Sequence, residues 1–468
     1  MVRRFVHAGL PAVGFAAADA AAVLLGRATR LEESQISLVW PAAAVGVLWA
    51  LYLRGLSRRR AAVNWLLMGG VNIAVVLGTD AEPAVAVWFA GVNMALAAVT
   101  SEVLARGRPS VVLREPADLA RLVVAVSAGT VVAATLSIAF LASVGHGDLP
   151  ETFALFAVRN GVTALTGVAI VLRLRDAQWR RPRWTGAWIA ETLACAVVTA
   201  VVFGRVYWFN PGHPIAFAVM LPALWVALRY STTTSTVFTG IGGASIVAAT
   251  LLDRGALHGL PPEQQAVLAQ GMVGSLTLVV LAMALFRDSR NALIAELSHL
   301  ALHDPLTGLA NRTLLNQRLE AALAHGAPGT VGVLMLDLDG FKLVNDAWGH
   351  DEGDLLLGEI ARRLVQETRP TDTVARLGGD EFVVMCPDVG DPAELEMYAE
   401  RIRRAVARPY GLASDAPYDR ITASVGCAVS DRSSTPRSLM ARADHRMYET
   451  KRAARARTFT GAAARSAR

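Results

Sequence analysis

Charged residues are scarce in this sequence. Only 18% of its 468 residues are charged, whereas 53% are hydrophobic, and the mean hydropathy is +0.40. Glycine and proline are not enriched, at 39 and 20 residues. This composition excludes disordered and collagen-like chains and argues against a wholly soluble protein. We therefore expect much of the chain to contact a lipid bilayer.

Cysteine is rarer still, with three residues. Cys195 lies in an apolar run, and Cys386 and Cys427 lie in strand-like segments without a partner at metal-ligand spacing. A disulfide framework is excluded, and we interpret all three as packing residues. The first apolar run is not followed by a small-residue cleavage site, so no removable signal peptide is predicted.

Lysine is nearly missing, since only Lys342 and Lys451 occur among the 45 basic residues. The net charge of +6 would suit a nucleic-acid partner. However, the arginines lie in short connections between apolar stretches, which is the pattern of membrane topology. We therefore expect a lipid bilayer as a partner and no nucleic acid.

Ten apolar runs follow one another through the first 286 residues. A membrane-spanning helix needs roughly 20 residues, and the third and eighth runs are shorter, so we predict about ten and at least eight spans. With the N-terminus in the cytoplasm, the inner connections hold 18 arginines and the outer ones 4, which favours cytoplasmic ends on both sides. The runs are residues 8–26, 36–53, 63–78, 83–105, 119–144, 152–172, 187–204, 214–228, 233–252 and 265–286.

Seven polar side chains fall within these runs. Ionisable groups in hydrocarbon are costly, so they pair with one another or face a water-filled or ligand-binding cavity. The sequence leaves both alternatives open, with interfacial positions a further option for two of the glutamates. The residues are Asp19, Asn72, Asn93, Glu102, Arg159, Asn160 and Glu191.

Three segments of this region carry a family resemblance: LPALWVALRYSTTTSTVFTGIGGASIVAATLL (221–252), Trp40-Pro41 and Arg159-Asn160-Gly161. Together they resemble the first class of MASE integral membrane sensor domains, which precede signalling domains in bacteria. The resemblance implies a sensor over residues 1–286, in the bacterial inner (plasma) membrane, with an unknown sensory ligand. A transporter is the alternative, although no convincing inverted repeat is visible.

Residues 287–303 form a predicted coupling helix. Phe286, Leu293, Leu297 and Leu300 are spaced by 7, 4 and 3 residues, which is typical of a coiled-coil seam. The spacing indicates a short parallel dimer helix, and a single amphipathic helix packed on its own domain is the alternative.

Residues 304–456 have the pattern of a soluble α/β domain. Strand and helix patterns follow in the order β-α-β-β-α-β with a closing helix. This order predicts an α+β ferredoxin-like fold of the type found in polymerase palms and nucleotide cyclases, here behind a polytopic all-α membrane domain. Residues 457–468 are expected to be a disordered tail.

A hairpin in this domain carries the chemistry. Asp380 and Glu381 follow a Gly-Gly turn, and Asp337 ends the neighbouring strand. Acidic groups at adjacent strand ends suit Mg²⁺, which takes one or two carboxylates and completes its shell with water and phosphate oxygens. Gly378 and Gly379 leave room for a bulky ligand at the backbone.

These residues belong to a set of motifs that resembles the GGDEF domain of diguanylate cyclases. The resemblance implies condensation of two GTP into cyclic di-GMP with release of pyrophosphate, by a homodimer with two facing sites. A GTP-binding or cyclic di-GMP-binding receptor with a silent cyclase fold is the alternative function. The matching blocks are HDPLTGLANR (303–312), DLDGFKLVNDAWGHDEGD (337–354), RLGGDEF (376–382), SVG (424–426) and ADHRMYETK (443–451).

The resemblance also implies residue roles. Asp337, the backbone carbonyl of Leu338 and Asp380 would hold two Mg²⁺ or Mn²⁺ ions per GTP site. Either Asp380 or Glu381 would accept the hydroxyl proton, and Lys342 would stabilise charge in the transition state.

Substrate contacts follow from the same resemblance. Asn345 and Asp354 would recognise the guanine edge. The phosphate contacts would be Gly340, Phe341, Lys342, Lys451 and Arg455. The chain has RAAR after Lys451 where the family usually has a glycine before the arginine, so the role of Arg455 is the least defined.

RPTD (369–372) precedes the hairpin at the offset of the family's inhibitory RxxD site. Arg369 and Asp372 would there bind cyclic di-GMP, because arginine offers a fork to phosphate and aspartate accepts from guanine N–H groups. The competing interpretation is a β-turn with Pro370 at its second position.

Overall fold

The computed structural model of the chain describes residues 10–31, 37–79, 81–143, 149–177, 184–210, 215–327, 329–410 and 421–466. It divides into two compact units, Met1–Ala292 and Leu293–Arg468. Ten α-helices begin in the described part of the first unit. They are α1 (Leu10–Ala28), α2 (Ala42–Leu53), α3 (Arg58–Leu77), α4 (Pro83–Ala105), α5 (Pro116–Ser143), α6 (Leu149–Arg175), α7 (Gly186–Phe203), α8 (Met220–Arg229), α9 (Thr232–Leu251) and α10 (Pro262–Leu302).

Eight of these helices are long and apolar enough to cross a membrane, and they suggest a membrane-spanning N-terminal region. The two shorter apolar helices are α2 and α8, the latter preceded by a 3₁₀ turn. The expectation that the third apolar run is short was wrong, because α3 has 20 residues and α2 has 12. Pro41 immediately precedes α2, and a proline without an N–H group favours the start of a helix there, so the preceding residues do not extend it.

Polar side chains in α1, α3 and α4 form a continuous buried chain of hydrogen bonds. Asn72 Nδ2 donates to Asp19 Oδ2 at 2.6 Å, and Asn93 Nδ2 donates to Asn72 Oδ1 at 2.9 Å. All three residues are buried. Interhelical pairing, one of the two alternatives left open by the sequence, therefore accounts for these three residues.

The two intramembrane glutamates are paired with arginine. Glu102 accepts from Arg54, and Glu191 accepts from Arg229 Nη2 at 2.7 Å and from Trp225 Nε1 at 3.3 Å. Both glutamates lie near the cytoplasmic ends expected from the arginine count. Five of the seven polar residues thus have partners within the first unit.

The second unit contains a four-stranded antiparallel sheet with strand order β2-β3-β1-β4. This order confirms the predicted α+β ferredoxin-like fold. Its strands are β1 (Gly332–Asp339), β2 (Thr373–Gly378), β3 (Glu381–Cys386) and β4 (Thr422–Val429). Its helices are α11 (Arg312–His325), α12 (Phe341–Trp348), α13 (His350–Glu367), α14 (Pro392–Val406) and α15 (Pro436–Ser466).

Strand β1 is central and is buried on both faces, as its apolar run predicts. Leu334 and Leu336 enter one hydrophobic core, whereas Val333 and Met335 enter a second core on the opposite face. Because side chains alternate along a strand, Asp337 lies on the face of Val333 and Met335. The strand therefore fixes the side of the sheet on which the first acidic residue emerges.

Helix α15 continues to Ser466, into the segment for which a disordered tail was expected. The reason is compositional, because RAARARTFTGAAARS (452–466) is rich in alanine and arginine, which have high helix propensity. The three cysteines are buried and free, in agreement with a packing role.

Candidate active site

The end of β1 and the β2–β3 turn lie side by side. Asp337 is opposite Glu381 on β3 and opposite Ser424 on β4 in the strand register. The Leu338 N–H group donates to the Asp380 carbonyl oxygen at 3.3 Å, which ties the strand end to the turn. The structure thus brings together the acidic residues that the sequence predicted as a metal site.

The turn itself is the predicted Gly-Gly hairpin. Gly378 has a φ of 142° and Gly379 a φ of 53°, and the strand register shifts between Arg376 and Gly378. Side chains at either glycine would be strained by these backbone angles, and both positions are exposed. The turn is consequently open to a ligand along its backbone.

Lys451 reaches this acidic site from α15, where its ammonium forms an ion pair with the Asp337 carboxylate. Helix α15 can pack this close to β4 because a side chain at Gly426 would lie 2.1 Å from the Met447 nitrogen. The glycine of the SVG motif therefore positions the lysine one turn further along α15. The side chain of Arg455 lies outside the described residues.

Burial and charge make both acids of the hairpin weaker than ordinary carboxylic acids. Partial burial, and next the negative charge of Asp337, raise the pKa of Asp380, while Lys451 and Arg376 oppose this increase. Burial, followed by the charges of Asp337 and Asp444, raises the pKa of Glu381. Asp337 is therefore close enough to disfavour the charge of Asp380.

This donor set fits a hard divalent cation that is completed by substrate. Among the described residues, no group of three or more His, Cys, Asp or Glu side chains is arranged to hold a metal ion. Asp337 and Asp380 supply two carboxylates, which is the number that Mg²⁺ uses when phosphate and water oxygens fill its remaining positions. The Lys451 ammonium already pairs with Asp337, so this position accommodates a positive charge.

Helix α12 begins directly after β1. Gly340 precedes it in the left-handed conformation, with a φ of 89°, and so turns the chain sharply away from the sheet. Phe341 packs against the hydrophobic core, and Lys342 is exposed in the first turn of the helix. Three of the predicted phosphate contacts, Gly340, Phe341 and Lys342, therefore lie at the start of a glycine-initiated helix at the end of the acidic strand.

The two residues predicted to recognise guanine lie on adjacent helices. Asn345 is on α12, and its buried Oδ1 has no hydrogen-bond partner among the described residues. That atom faces Gly353, where a side chain would come within 1.9 Å of it. Asp354 follows in α13 and is exposed. An unsatisfied amide oxygen near an exposed carboxylate is the arrangement expected where a polar ligand binds.

Two residues that organise the site were missed by the sequence analysis. Arg376 donates from Nη1 to Asp304 Oδ1 at 3.1 Å and from Nη2 to the Gly379 carbonyl at 2.8 Å. Asp304 also accepts from the N–H and hydroxyl of Thr307, at 2.9 and 2.7 Å. A partly buried arginine in an otherwise apolar strand signals a partner, and the HDPLTGLANR block supplies it.

The RPTD segment is the β-turn allowed by its sequence. The Asp372 N–H donates to the Arg369 carbonyl at 2.9 Å, and Tyr398 donates to Asp372 Oδ2 at 2.6 Å. The half-exposed Arg369 side chain pairs with Glu394. Arg369 and Asp372 also line a cavity of about 370 Å³ that Arg318 borders. The turn is thus formed, and ligand binding there stays a prediction.

Residues 301–457 match the family model described as diguanylate cyclase, GGDEF domain. The bifunctional diguanylate cyclase/cyclic di-GMP phosphodiesterase MucR of Pseudomonas aeruginosa is 45% identical over 175 residues, which are 37% of this chain and 24% of MucR. The response regulator PleD of Caulobacter vibrioides is 39% identical over 160 residues, 33% of this chain and 35% of PleD.

The chain is also similar to a crystal structure of the coiled coil and GGDEF domain of DgcB from Caulobacter crescentus in complex with c-di-GMP. The similarity covers 36% of this chain and 88% of the DgcB chain, at 30% identity and a TM-score of 0.34. The match of residues 301–457 to the family model identifies a GGDEF domain in the C-terminal unit. The chain spans between 14% and 38% of the length of the first curated relatives it matches.

The Asp304–Arg376 ion pair predicts a measurable share of stability. In a fragment of residues 287–468, Asp304→Asn should lower the free energy of unfolding by about 1–3 kcal/mol, because Arg376 then remains partly buried without a counter-charge. The exposed Glu320→Gln substitution on α11 is the matched control and should change it little.

This loss should depend on pH. Burial alone would raise the pKa of Asp304, but hydrogen bonds from Thr307 and Arg376 outweigh it and lower that pKa. The stabilisation is therefore present above about pH 4, the ordinary pKa, and disappears as pH falls through the lowered value. Urea unfolding curves that differ equally at pH 7 and pH 2.5 would contradict this assignment.

Proposed function

We propose that this protein is a membrane-anchored diguanylate cyclase that condenses two GTP into cyclic di-GMP and two pyrophosphates, under the control of its N-terminal membrane region. The observation that supports this most is the acid pair Asp337 and Asp380 at the end of β1, within reach of Lys451. The match of residues 301–457 to the GGDEF family model agrees with it. A silent receptor would have no need of this pair of acids.

Asp337, the Leu338 carbonyl and Asp380 would hold the metal ions, two Mg²⁺ or Mn²⁺ per GTP. When bound, these ions would neutralise charge on the phosphate oxygens and on the leaving pyrophosphate. Asp380 has to lose its proton to act as a ligand, and its pKa is raised by burial and by Asp337. Metal binding should therefore strengthen as pH rises through that pKa.

The substrate is held from two sides. Lys342 on α12 and Lys451 on α15 place ammonium groups near the phosphates, with Gly340, Phe341 and the Gly378–Gly379 turn close to the backbone of the nucleotide. Asn345 and Asp354 pair with the guanine edge, because an amide and a carboxylate complement its acceptors and donors.

In each half-reaction the 3′-hydroxyl oxygen of one GTP forms a bond to the α-phosphorus of the other, and the bond from that phosphorus to the β-phosphate bridging oxygen breaks. Pyrophosphate leaves, and Lys342 stabilises the charge that develops. We assign the hydroxyl proton to Glu381, because a metal-bound Asp380 would be the weaker base, whereas burial and Asp337 raise the pKa of Glu381.

Two copies are required, because one half-site cannot close the cyclic product. The seam residues Phe286, Leu293, Leu297 and Leu300 on α10 are 60%, 55%, 55% and 64% exposed in the single chain. An apolar stripe at this spacing is covered when two parallel helices pair. We therefore propose a homodimer through α10, with cyclic di-GMP as a feedback inhibitor at Arg369 and Asp372.

We propose that this enzyme lies at the inner face of the bacterial inner membrane. The arginine distribution supports a cytoplasmic N-terminus and a cytoplasmic GGDEF domain, and eight helices are long and apolar enough to span the bilayer. We propose that this multi-pass region is a sensor of the MASE type rather than a transporter.

The cyclase assignment is tested by turnover. Purified protein incubated with GTP and Mg²⁺ should yield cyclic di-GMP and pyrophosphate in a ratio of one to two. Asp380→Asn should reduce this rate by about a hundredfold or more, through loss of a metal ligand. The melting temperature should not fall, because the substitution removes the repulsion with Asp337.

Asp388→Asn, at an exposed position beyond β3, is the control and should retain activity. GTP binding without product in the wild-type protein would identify a receptor. Substantial turnover by the Asp380→Asn variant would remove Asp380 from the mechanism.

Feedback inhibition is tested by Arg369→Ala. The initial rate should stay similar, while the cyclic di-GMP concentration needed for half inhibition should rise by about tenfold or more, because an arginine fork to phosphate is lost. Arg362→Ala is a matched control, since its side chain is also half-exposed and paired with a glutamate, Glu359. Equal inhibition constants for the wild type and both variants would mean that the RPTD segment is a turn that does not bind cyclic di-GMP.

Regulation through α10 is tested by insertions near Ala295. One added residue rotates the following chain by about 100°, whereas seven nearly restore the helical phase. Activity in membranes should therefore vary periodically with insertion length, while GTP binding per domain stays constant. Activity that does not change across insertions of one to seven residues would mean that the helix is only a tether.

A further inference from the structure

Two of the seven polar residues within the apolar runs, Arg159 and Asn160, differ from the other five in having no hydrogen-bond or ion-pair partner among the described residues. Asn160 on α6 is completely buried, and neither its Oδ1 nor its Nδ2 finds a hydrogen-bond partner among the described residues. The neighbouring Arg159 forms no hydrogen bond or ion pair with any described residue, and its Nε is buried. Arg54 and Arg229, in contrast, each hold a glutamate.

Arg159 lines a cavity of about 320 Å³ in the first unit. Gln270 on α10 lines it too and is only 2% exposed. Its Nε2 donates to the Leu38 carbonyl at 2.6 Å, which fixes the amide, but its Oε1 has no donor among the described residues. The cavity therefore contains one cation and one oriented acceptor that the protein leaves unsatisfied.

Aromatic rings hold the guanidinium in place. Its central carbon lies 5.4 Å from the ring centroids of both Trp40 and Phe156. Arg159 is the eleventh residue of α6, about 15 Å along the helix at 1.5 Å per residue, so it lies deep in the expected bilayer. Ring contacts orient a cation but give its N–H groups no strong acceptor, so a charge at this depth calls for an anion.

We propose that this cavity binds a small organic carboxylate with a hydrogen-bond donor next to the carboxylate, namely an α-amino or α-hydroxy acid. The carboxylate would accept from Arg159 in the two-bond geometry that guanidinium favours. The ammonium or hydroxyl group would donate to Gln270 Oε1. Apolar side chains such as Leu155 and Val158 would contact the body of the molecule.

The charged side chains around the cavity narrow the class of ligand further. Glu151 and Glu263 also line it and are exposed. These carboxylates disfavour a second negative charge on the ligand, so monocarboxylates should bind better than dicarboxylates or phosphate esters. The site does not depend on the cyclase assignment, because it is defined within the membrane region and is tested by binding.

The test uses the full-length protein in nanodiscs of neutral lipid and follows its melting temperature. The first probes share one side chain: the amino acid L-leucine, the hydroxy acid 2-hydroxy-4-methylpentanoate, the acid without a donor 4-methylpentanoate, and the amide leucinamide. The same four kinds of compound are then tested with smaller and with larger side chains. The amino or hydroxy acid of the best-fitting series should raise the melting temperature by a few degrees at saturation. The form without the donor should bind less tightly, and the amide should have no effect.

Variants identify the groups involved. Arg159→Gln should weaken binding by about tenfold to a hundredfold, whereas Arg58→Gln, at an exposed arginine of α3, should leave it unchanged. Because Gln270→Leu lacks the acceptor, it should bind the acids with and without the donor equally well. This variant still tests the proposed site if Arg159→Gln does not fold.

Three results would overturn the proposal. The first is that no acid of any series stabilises the wild-type protein. The second is that Arg159→Gln binds as tightly as the wild type. The third is stabilisation by anionic phospholipid in the nanodisc without any soluble acid, which would make Arg159 a lipid headgroup site.

Discussion

The proximity of Asp337 and Asp380 is the constraint on which the C-terminal unit depends. The negative charge of Asp337 disfavours the charge of Asp380, so the fold holds these two carboxylates together at a cost in free energy. Lys451 offsets part of that cost by pairing with Asp337, and it can do so only because Gly426 lets α15 lie directly on β4. The SVG motif and the final helix thus serve the same pair of acids.

The turn that carries Asp380 is held from outside the sheet. Arg376 donates to the Gly379 carbonyl and is itself oriented by Asp304, from the segment that precedes α11. Without these contacts, two consecutive glycines with positive φ would leave the backbone of the turn free to adopt many conformations. The beginning of the domain is therefore coupled physically to the catalytic turn, through one ion pair and one carbonyl.

The sequence was informative where chemistry depends on residue type and spacing along one strand or helix. The sheet order, the hairpin and the position of the acids follow from period-two patterns and a Gly-Gly turn. It was less informative where the answer depends on contacts between distant segments. The motif that contains Arg376 did not predict a role for this residue, because its partner Asp304 lies 72 residues earlier in the chain.

For the membrane helices, too, the sequence does not predict contacts between distant segments. The sequence identified seven polar positions but left pairing and ligand binding open for all of them, because helix rotation decides what each side chain meets. The structure separates them: Asp19, Asn72 and Asn93 are joined by hydrogen bonds, whereas Arg159 and Asn160 have no hydrogen-bond partner in the part of the chain that the structure describes.

The contacts of Lys451 give a physical reason for a lysine at this position. Arginine replaces lysine almost everywhere in this chain, yet Lys451 is retained at a crowded position between α15 and the end of β1. A compact ammonium forms a point contact with Asp337, and its flexible stem would allow it to turn from carboxylate to phosphate if a metal ion were bound at this position. A guanidinium fork would hold the carboxylate through two bonds and compete with the metal for the same oxygens. Lysine is therefore the basic residue that can neutralise this site before substrate arrives without closing it.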